Sequence, residues 1–304
     1  MFARLFYGWF VVVAAFAVMC VGFGSAYTFS AFVESLQREF AASRGSVSLV
    51  FSLAGFLYFA LGIVSGPLAD RWGSRRLSAT GMVLVGMGLC AAGLARTLPQ
   101  VYVAYGLGIG FGVGFSYVPA LGAVQRWFVK RRGLASGLAV SGIGVGTLAM
   151  PPLATWLIAS LEWRNAYLVL GILVIGFGVA AAFVMEDDPA ARKQHPDGEP
   201  AETQASSNLR AGLSVREAVR TGPFRGLYIA CLIGSLGVFV PFVHLVPYAA
   251  DHGLSAAAAV WLLGAIGLGS TIGRFFLGAI ADGIGRERFL AGMYLGMAAS
   301  LAIW

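Results

Sequence analysis

Apolar positions along the chain gather into nine long blocks, at roughly 8–33, 47–69, 77–96, 98–123, 133–158, 164–185, 224–249, 256–281 and 288–304. Each approaches or exceeds the roughly 20 residues a helix needs to cross about 30 Å of hydrocarbon. None shows the polar/apolar alternation of a barrel strand. The pattern predicts an all-α, polytopic membrane protein. The first block is too long for a secretory leader, and further spans follow it. One long polar stretch interrupts the series. It opens on Glu186-Asp187-Asp188-Pro189 and continues without apolar periodicity to about residue 223, as a flexible linker would. Within 214–220, Val215, Ala218 and Val219 oppose Arg216, Glu217 and Arg220, which predicts a short helix lying on the membrane surface. The expected organisation is a six-helix bundle over 1–185, a cytoplasmic linker with that amphipathic helix over 186–223, and three helices of a second bundle over 224–304.

Composition agrees with this class. Hydrophobic residues make up 58% of the chain, charged residues only 12%, and mean hydropathy is +0.79. A soluble domain of 304 residues has no interior able to hide that much apolar surface. The net charge of +7 would suit a nucleic-acid binder, but its distribution does not. With the N-terminus inside, sixteen of the 21 Lys and Arg fall on the cytoplasmic side. Arg38, Arg44, Arg96 and Arg164 fall outside, and Arg274 lies within a span. This asymmetry follows the positive-inside rule. It predicts a multi-pass protein of the cell (inner) membrane with a cytoplasmic N-terminus, with the bilayer as a partner and no nucleic acid. Trp9, Trp72, Trp127, Trp163 and Trp261 lie near span ends, as interfacial anchors or as packing residues. Cys20, Cys90 and Cys231 sit inside apolar blocks with neither metal nor disulfide spacing. No metal, cofactor or nucleophile–base set is expected, so the chain does not read as an enzyme.

A repeat organises the two sides of the linker. Gly66-Pro67-Leu68-Ala69-Asp70-Arg71-Trp72-Gly73-Ser74-Arg75-Arg76 follows the second block, and Gly278-Ala279-Ile280-Ala281-Asp282-Gly283-Ile284-Gly285-Arg286-Glu287-Arg288 follows the eighth. Gly66/Gly278, Ala69/Ala281, Asp70/Asp282, Gly73/Gly285 and Arg76/Arg288 match, the mark of a duplicated bundle. A carboxylate at a helix C-terminus faces an unfavourable dipole, so Asp70 needs a partner from a nearby arginine or another helix. The motif resembles the signature loop of the major facilitator superfamily. That resemblance implies twelve helices in two halves, about nine of them present here. It also implies a cytoplasmic gate formed by Gly66, Asp70, Arg71, Gly73, Arg75 and Arg76, echoed by Asp282 and Arg286. The alternative is a turn that merely ends the helix.

Tyr7-Gly8-Trp9 and the stretch 126–142, which reads RWFVKRRGLASGLAVSG, resemble the monocarboxylate transporter family and its bacterial relatives, including oxalate/formate exchangers. This implies a secondary transporter that moves a small organic anion, a monocarboxylate, by alternating access. The resemblance also implies that the last three helices are missing, so the chain alone is expected to transport poorly. Gly133, Gly137 and Ser141 share one helical face and predict close helix approach there, and Gly106, Gly108, Gly110, Gly112 and Gly114 thin the fourth helix.

Arg274 stands alone among the Lys and Arg in lying within a span. Burying a guanidinium at such depth costs at least about 2.5–3.5 kcal/mol, so it must meet a partner or a wet cavity. Its planar fork of donors suits a carboxylate, and the resemblance implies that it binds the substrate's. It lies about 12 Å of helix rise from Asp282, so snorkelling to the inner headgroups is the structural alternative. Tyr117 and Tyr27 are the expected neighbours, as hydrogen-bond donors or as packed aromatics. His244 is a candidate pH-sensitive group or a merely hydrated one. Proton-coupled members of the family tend to carry a first-helix Lys and an Asp one turn before the Arg. Here Tyr27 and Ser270 stand near those positions. Exchange, facilitated diffusion and coupling through His244 all stay open, and with them a co-transported or exchanged ion. Two other readings are a transporter of another substrate class, such as a drug or sugar, and a membrane receptor or scaffold. The duplicated loop speaks against the last.

Overall fold

In lipid a backbone must satisfy its polar groups internally, and a long apolar block does so as helix. A computed structural model describes residues 6–198, 215–238, 240–284 and 286–303, and no strand occurs among them. The first block forms α1 (Gly8–Tyr27) and α2 (Phe29–Phe40), with Thr28 between them. The second forms α3 (Arg44–Ala60) and α4 (Gly62–Trp72), bent by 51°. The third is α5 (Ser74–Gly93). The fourth runs through α6 (Leu98–Val101), a π-helical turn (Tyr102–Leu107) and α7 (Gly108–Trp127). The fifth and sixth lie in α8 (Arg132–Val184), which breaks at Glu162, where φ is 66°. The remaining helices are α9 (Val215–Arg220), α10 (Gly222–Val238), α11 (Val240–Asp251), α12 (Ala256–Ile284) and α13 (Arg286–Ile303). Among the described residues, four helical stretches are each long and apolar enough to cross a membrane, and the bent pair α3–α4 makes a fifth. The predicted surface helix coincides with α9, though several of its side chains lie outside the described residues.

The chain divides into two compact units. One comprises Met1–Gly198 with Phe242–Gly278, the other Glu199–Pro241 with Ala279–Trp304. In the first unit α8 packs along α1 and α5, and α5 along α7. Small residues set these contacts, most tightly at glycines beside the predicted face. A Cβ on Gly142 would collide with the Phe16 carbonyl, and one on Gly146 with that of Cys20, so α8 meets α1 backbone to backbone. Gly144 faces Gly267 and Thr271 of α12 in the same way. Of the predicted trio, Gly133 borders nothing within 4 Å, and the Ser141 hydroxyl donates to its own helix at Leu138. Gly137 approaches the Arg274 carbonyl of α12, and Ser141 is buried in the packed interior. In the fourth span Gly106 and Gly110 receive Leu53 and Leu57 of α3, Gly114 receives Leu61 at the bend between α3 and α4, and Gly108 and Gly112 meet α5 at Gly88 and Gly81. In the second unit Gly234 and Gly237 of α10 pack against Tyr294 and Leu301 of α13.

Two other expectations change. Trp72 and Trp261 are exposed, as anchors should be, but Trp127 is fully buried, and its indole N–H donates to the Glu186 carbonyl at 2.6 Å. Trp127 is therefore a packing residue that holds the start of the linker. The linker itself is ordered from 186 to 198, with short 3-10 turns at Pro189–Arg192 and Pro196–Gly198. Asp197 explains part of that order. Its carboxylate accepts the backbone N–H groups of Val129, Lys130 and Arg131 at 2.9, 2.8 and 3.3 Å, just before α8.

Candidate functional site

The first cluster surrounds Arg274, midway along α12. Its side chain is half-buried, and its guanidinium donates to the Ser270 hydroxyl one turn earlier. Across the unit it interacts electrostatically with the phenols of Tyr27 on α1 and Tyr117 on α7. The head therefore points among helices rather than into lipid. No described acidic side chain pairs with it, so its charge is unneutralised among the described residues. Two residues that sequence reasoning missed complete the wall. Phe23 stands edge-on to Tyr117 and Tyr58, at 5.3 and 5.6 Å between ring centroids, and 6.0 Å from Tyr27. The buried Tyr58 phenol faces that of Tyr27. Phe23 lies one turn before Tyr27, which was a readable signal. Tyr58, on α3, gave none beyond an aromatic in an apolar block. His244 is exposed on α11.

The second cluster is the arginine-rich loop. Gly73 ends α4 with φ of 85°, a left-handed geometry that glycine adopts without strain. The next N–H, of Ser74, donates to Asp187 at 2.7 Å. Arg126, at the end of α7, links three groups: Asp70 at 3.1 Å, the Ser74 hydroxyl at 3.0 Å and Asp187 at 2.8 Å. Asp70 thus finds the nearby arginine its helix end requires. Arg75 donates to the Met185 carbonyl at 2.7 Å and pairs with Glu186 at 2.8 Å. Asp70, Gly73 and Arg75 are brought together with Arg126, Glu186 and Asp187. Gly66 lies a turn earlier on α4, and Arg71 and Arg76 point outward, exposed. The side chains of Asp282 and Arg286 lie outside the described residues. Asp187 reads as linker in the sequence, because nothing local shows that it reaches back to the second and fourth spans.

We expect Arg126→Ala to lower thermal stability in detergent by about 1–2 kcal/mol, because it strands two carboxylates in a partly exposed network. Arg71→Ala should leave the melting curve unchanged. Equal shifts for the two variants would show that the network contributes nothing.

At the opposite end of the first unit, Arg44 at the start of α3 forms two hydrogen bonds to Asp251 at the end of α11, at 3.0 and 3.3 Å. These bonds, helped by the charges of Arg44 and His252, hold the Asp251 carboxyl below its ordinary range against the opposing effect of desolvation. Nearby, Arg164 donates to the Gly93 and Ala95 carbonyls at the end of α5 and pairs with Glu39 at 2.7 Å.

Long apolar helices, a guanidinium among phenols and a charged loop at one end define a multi-pass helical membrane protein. The Major Facilitator Superfamily matches over residues 14–304, and the chain belongs to that superfamily. It is 33% identical over 276 residues to monocarboxylate transporter 11 of Mus musculus and 28% identical over 282 residues to monocarboxylate transporter 13 of Bos taurus. Each alignment covers 91% of this chain, but only 60% and 62% of the relative, so the chain spans about three fifths of their length. The fold is similar to the crystal structure of a bacterial homolog to the human lysosomal transporter Spinster, in an inward-facing and unoccupied conformation. There the TM-score is 0.71 at 16% identity, covering 94% of this chain and 64% of that one.

Proposed function

We propose that this protein is a secondary transporter of a small organic anion, a monocarboxylate, working by alternating access in the cell membrane with its N-terminus in the cytoplasm. The observation that carries the reading is the Arg274 guanidinium, held among Tyr27, Tyr117 and Ser270 with no described carboxylate to neutralise it. Ser270 is uncharged, so the positive charge is left for a ligand. A carboxylate takes two donors from the guanidinium fork, and Tyr117 and Tyr27 supply further hydroxyl donors. Residues 1–185 act as one half of the carrier and 224–304 belong to the other, with Asp70, Gly73 and Arg75 closing the cytoplasmic side. The curated relatives named as monocarboxylate transporters support the same substrate class. The test is an equilibrium binding screen on the purified protein, with monocarboxylates, dicarboxylates, sugars and a cationic drug as competitors. Monocarboxylates are expected to compete and sugars not to. Sugar or drug binding without carboxylate competition would favour another substrate class.

In this scheme Arg44 and Asp251 close the outer side. Each charge is partly exposed, so the pair contributes modestly, and we expect Arg44→Asp or Asp251→Arg alone to shift the opening equilibrium about two- to fivefold. The readout is the labelling rate of Tyr117→Cys by an impermeant maleimide applied outside, with the native cysteines removed. The double swap should restore the original rate, and failure to do so argues against a direct latch. Asp251 has its folded pKa lowered below 3.8, so the pairing contributes above that value and is lost as pH falls through the lower one. The labelling rate should therefore be flat from about pH 5 to 8.

A further inference from the structure

The arginines at the loop end of the first unit divide into two kinds. Arg75 and Arg126 are engaged by Glu186, Asp70 and Asp187. Arg76 makes no ion pair among the described residues. It borders instead an open groove of about 530 Å³, lined also by Trp72, Ala79, Thr80 and Phe183. The groove runs between the start of α5 and the last turn of α8. Its aromatic walls are bare: Trp72 is 58% exposed and Phe183 61%. The Thr80 hydroxyl donates to the Arg76 carbonyl of its own helix at 2.9 Å, so among the lining side chains Arg76 and Trp72 bring the remaining polar donors.

The lining thus combines one cation without an ion-pair partner among the described residues, one indole, and the apolar surfaces of Phe183 and Ala79. That combination of charge, amphipathic ring and apolar surface suits the headgroup and acyl chain of a phospholipid. Tryptophan favours the headgroup level, and basic clefts between spans on the cytoplasmic side attract anionic headgroups. Arg76 lacks a counter-charge among the described residues, so a net anionic lipid satisfies it better than a zwitterionic one. We propose that Arg76, Trp72 and Phe183 form a binding site for an anionic phospholipid of the inner leaflet, with the phosphate on Arg76 and an acyl chain along Phe183. The site rests on the membrane orientation proposed above and is independent of what Arg274 binds. It gives the last arginine of the repeated loop a role that the internal gate leaves open, and Arg288, its match in the repeat, is likewise exposed.

The test is thermal unfolding of the purified protein in detergent, titrated with phosphatidylglycerol or phosphatidylcholine. Phosphatidylglycerol should raise the melting temperature saturably and phosphatidylcholine much less. Arg76→Gln should weaken the apparent lipid affinity roughly fivefold. Its lipid-free melting temperature should stay unchanged, since the side chain is exposed. Trp72→Ala should weaken the affinity as well, and Arg71→Gln should behave as the wild type. Equal responses to the two lipids, or an undiminished response in Arg76→Gln, would overturn the assignment. Loss of monocarboxylate binding with the lipid response intact would count only against the transport reading.

Discussion

Arg274→Ala should abolish saturable monocarboxylate binding, weakening it by about 30-fold to several-thousand-fold. That range corresponds to the roughly 2–5 kcal/mol lost when one partner of a desolvated, hydrogen-bonded charge pair is truncated. The guanidinium is isolated from described counter-charges. Around this guanidinium stand two phenols and a serine hydroxyl, all uncharged in their ordinary state, and no described carboxylate. A bound anion would then meet a positive charge that nothing else has claimed. Arg274→Lys keeps the charge but loses the planar fork, so binding should fall between wild type and Arg274→Ala. Tyr117→Phe removes one neutral donor and should cost about 0.5–1.5 kcal/mol, or roughly a factor of ten at most. Titration calorimetry or a radioligand assay on purified protein separates the three. Arg274→Ala binding carboxylates like the wild type would move the substrate to another class.

Gly146→Val should fail to give a folded, monodisperse protein. The contact between α8 and α1 is backbone on backbone, and a Cβ at Gly146 would collide with the Cys20 carbonyl and crowd its Cα. No flexible side chain is there to move aside, so the helices must separate. Overpacking of a well-filled contact costs about 1–3 kcal/mol or more, and valine adds two methyl groups beyond the colliding atom. Separation would also strip van der Waals contact from much of α1, which is the main attraction between helices in lipid. Gly133→Val is the control, because nothing lies within 4 Å of that position. Its melting temperature should stay close to the wild type, while Gly146→Val is lost to aggregation on size-exclusion chromatography. Similar behaviour of the two variants would mean that the close approach is not what holds α8 to α1.

The class of the fold was legible because hydrophobic length is a strong one-dimensional signal, and the positions of the apolar blocks coincide with helices. The repeated loop was legible for the same reason, since its match is a matter of spacing. What the sequence withheld was pairing at a distance. Asp187 reads as the opening of a polar linker, yet it reaches Ser74 and Arg126, 113 and 61 residues away. Trp127 carries the composition of an interfacial anchor, but the ordered start of the linker covers it. Helical periodicity groups Gly133, Gly137 and Ser141 on one face without saying that the tightest backbone contacts with α1 fall at Gly142 and Gly146. The lone Arg274 announced itself by rarity. Its aromatic surroundings needed α1, α3 and α7 to be placed side by side, and only Phe23, one turn from Tyr27, was close enough in sequence to be inferred.

The central claim is that a single fixed positive charge in the interior selects a carboxylate. The most direct measurement compares the binding of a short-chain acid with that of its uncharged amide, propionate against propionamide, to the same purified protein. The two ligands share size and shape and differ in charge. Saturable binding of propionate, with propionamide at least about tenfold weaker, is the predicted result. Equal affinity for the acid and the amide would contradict it.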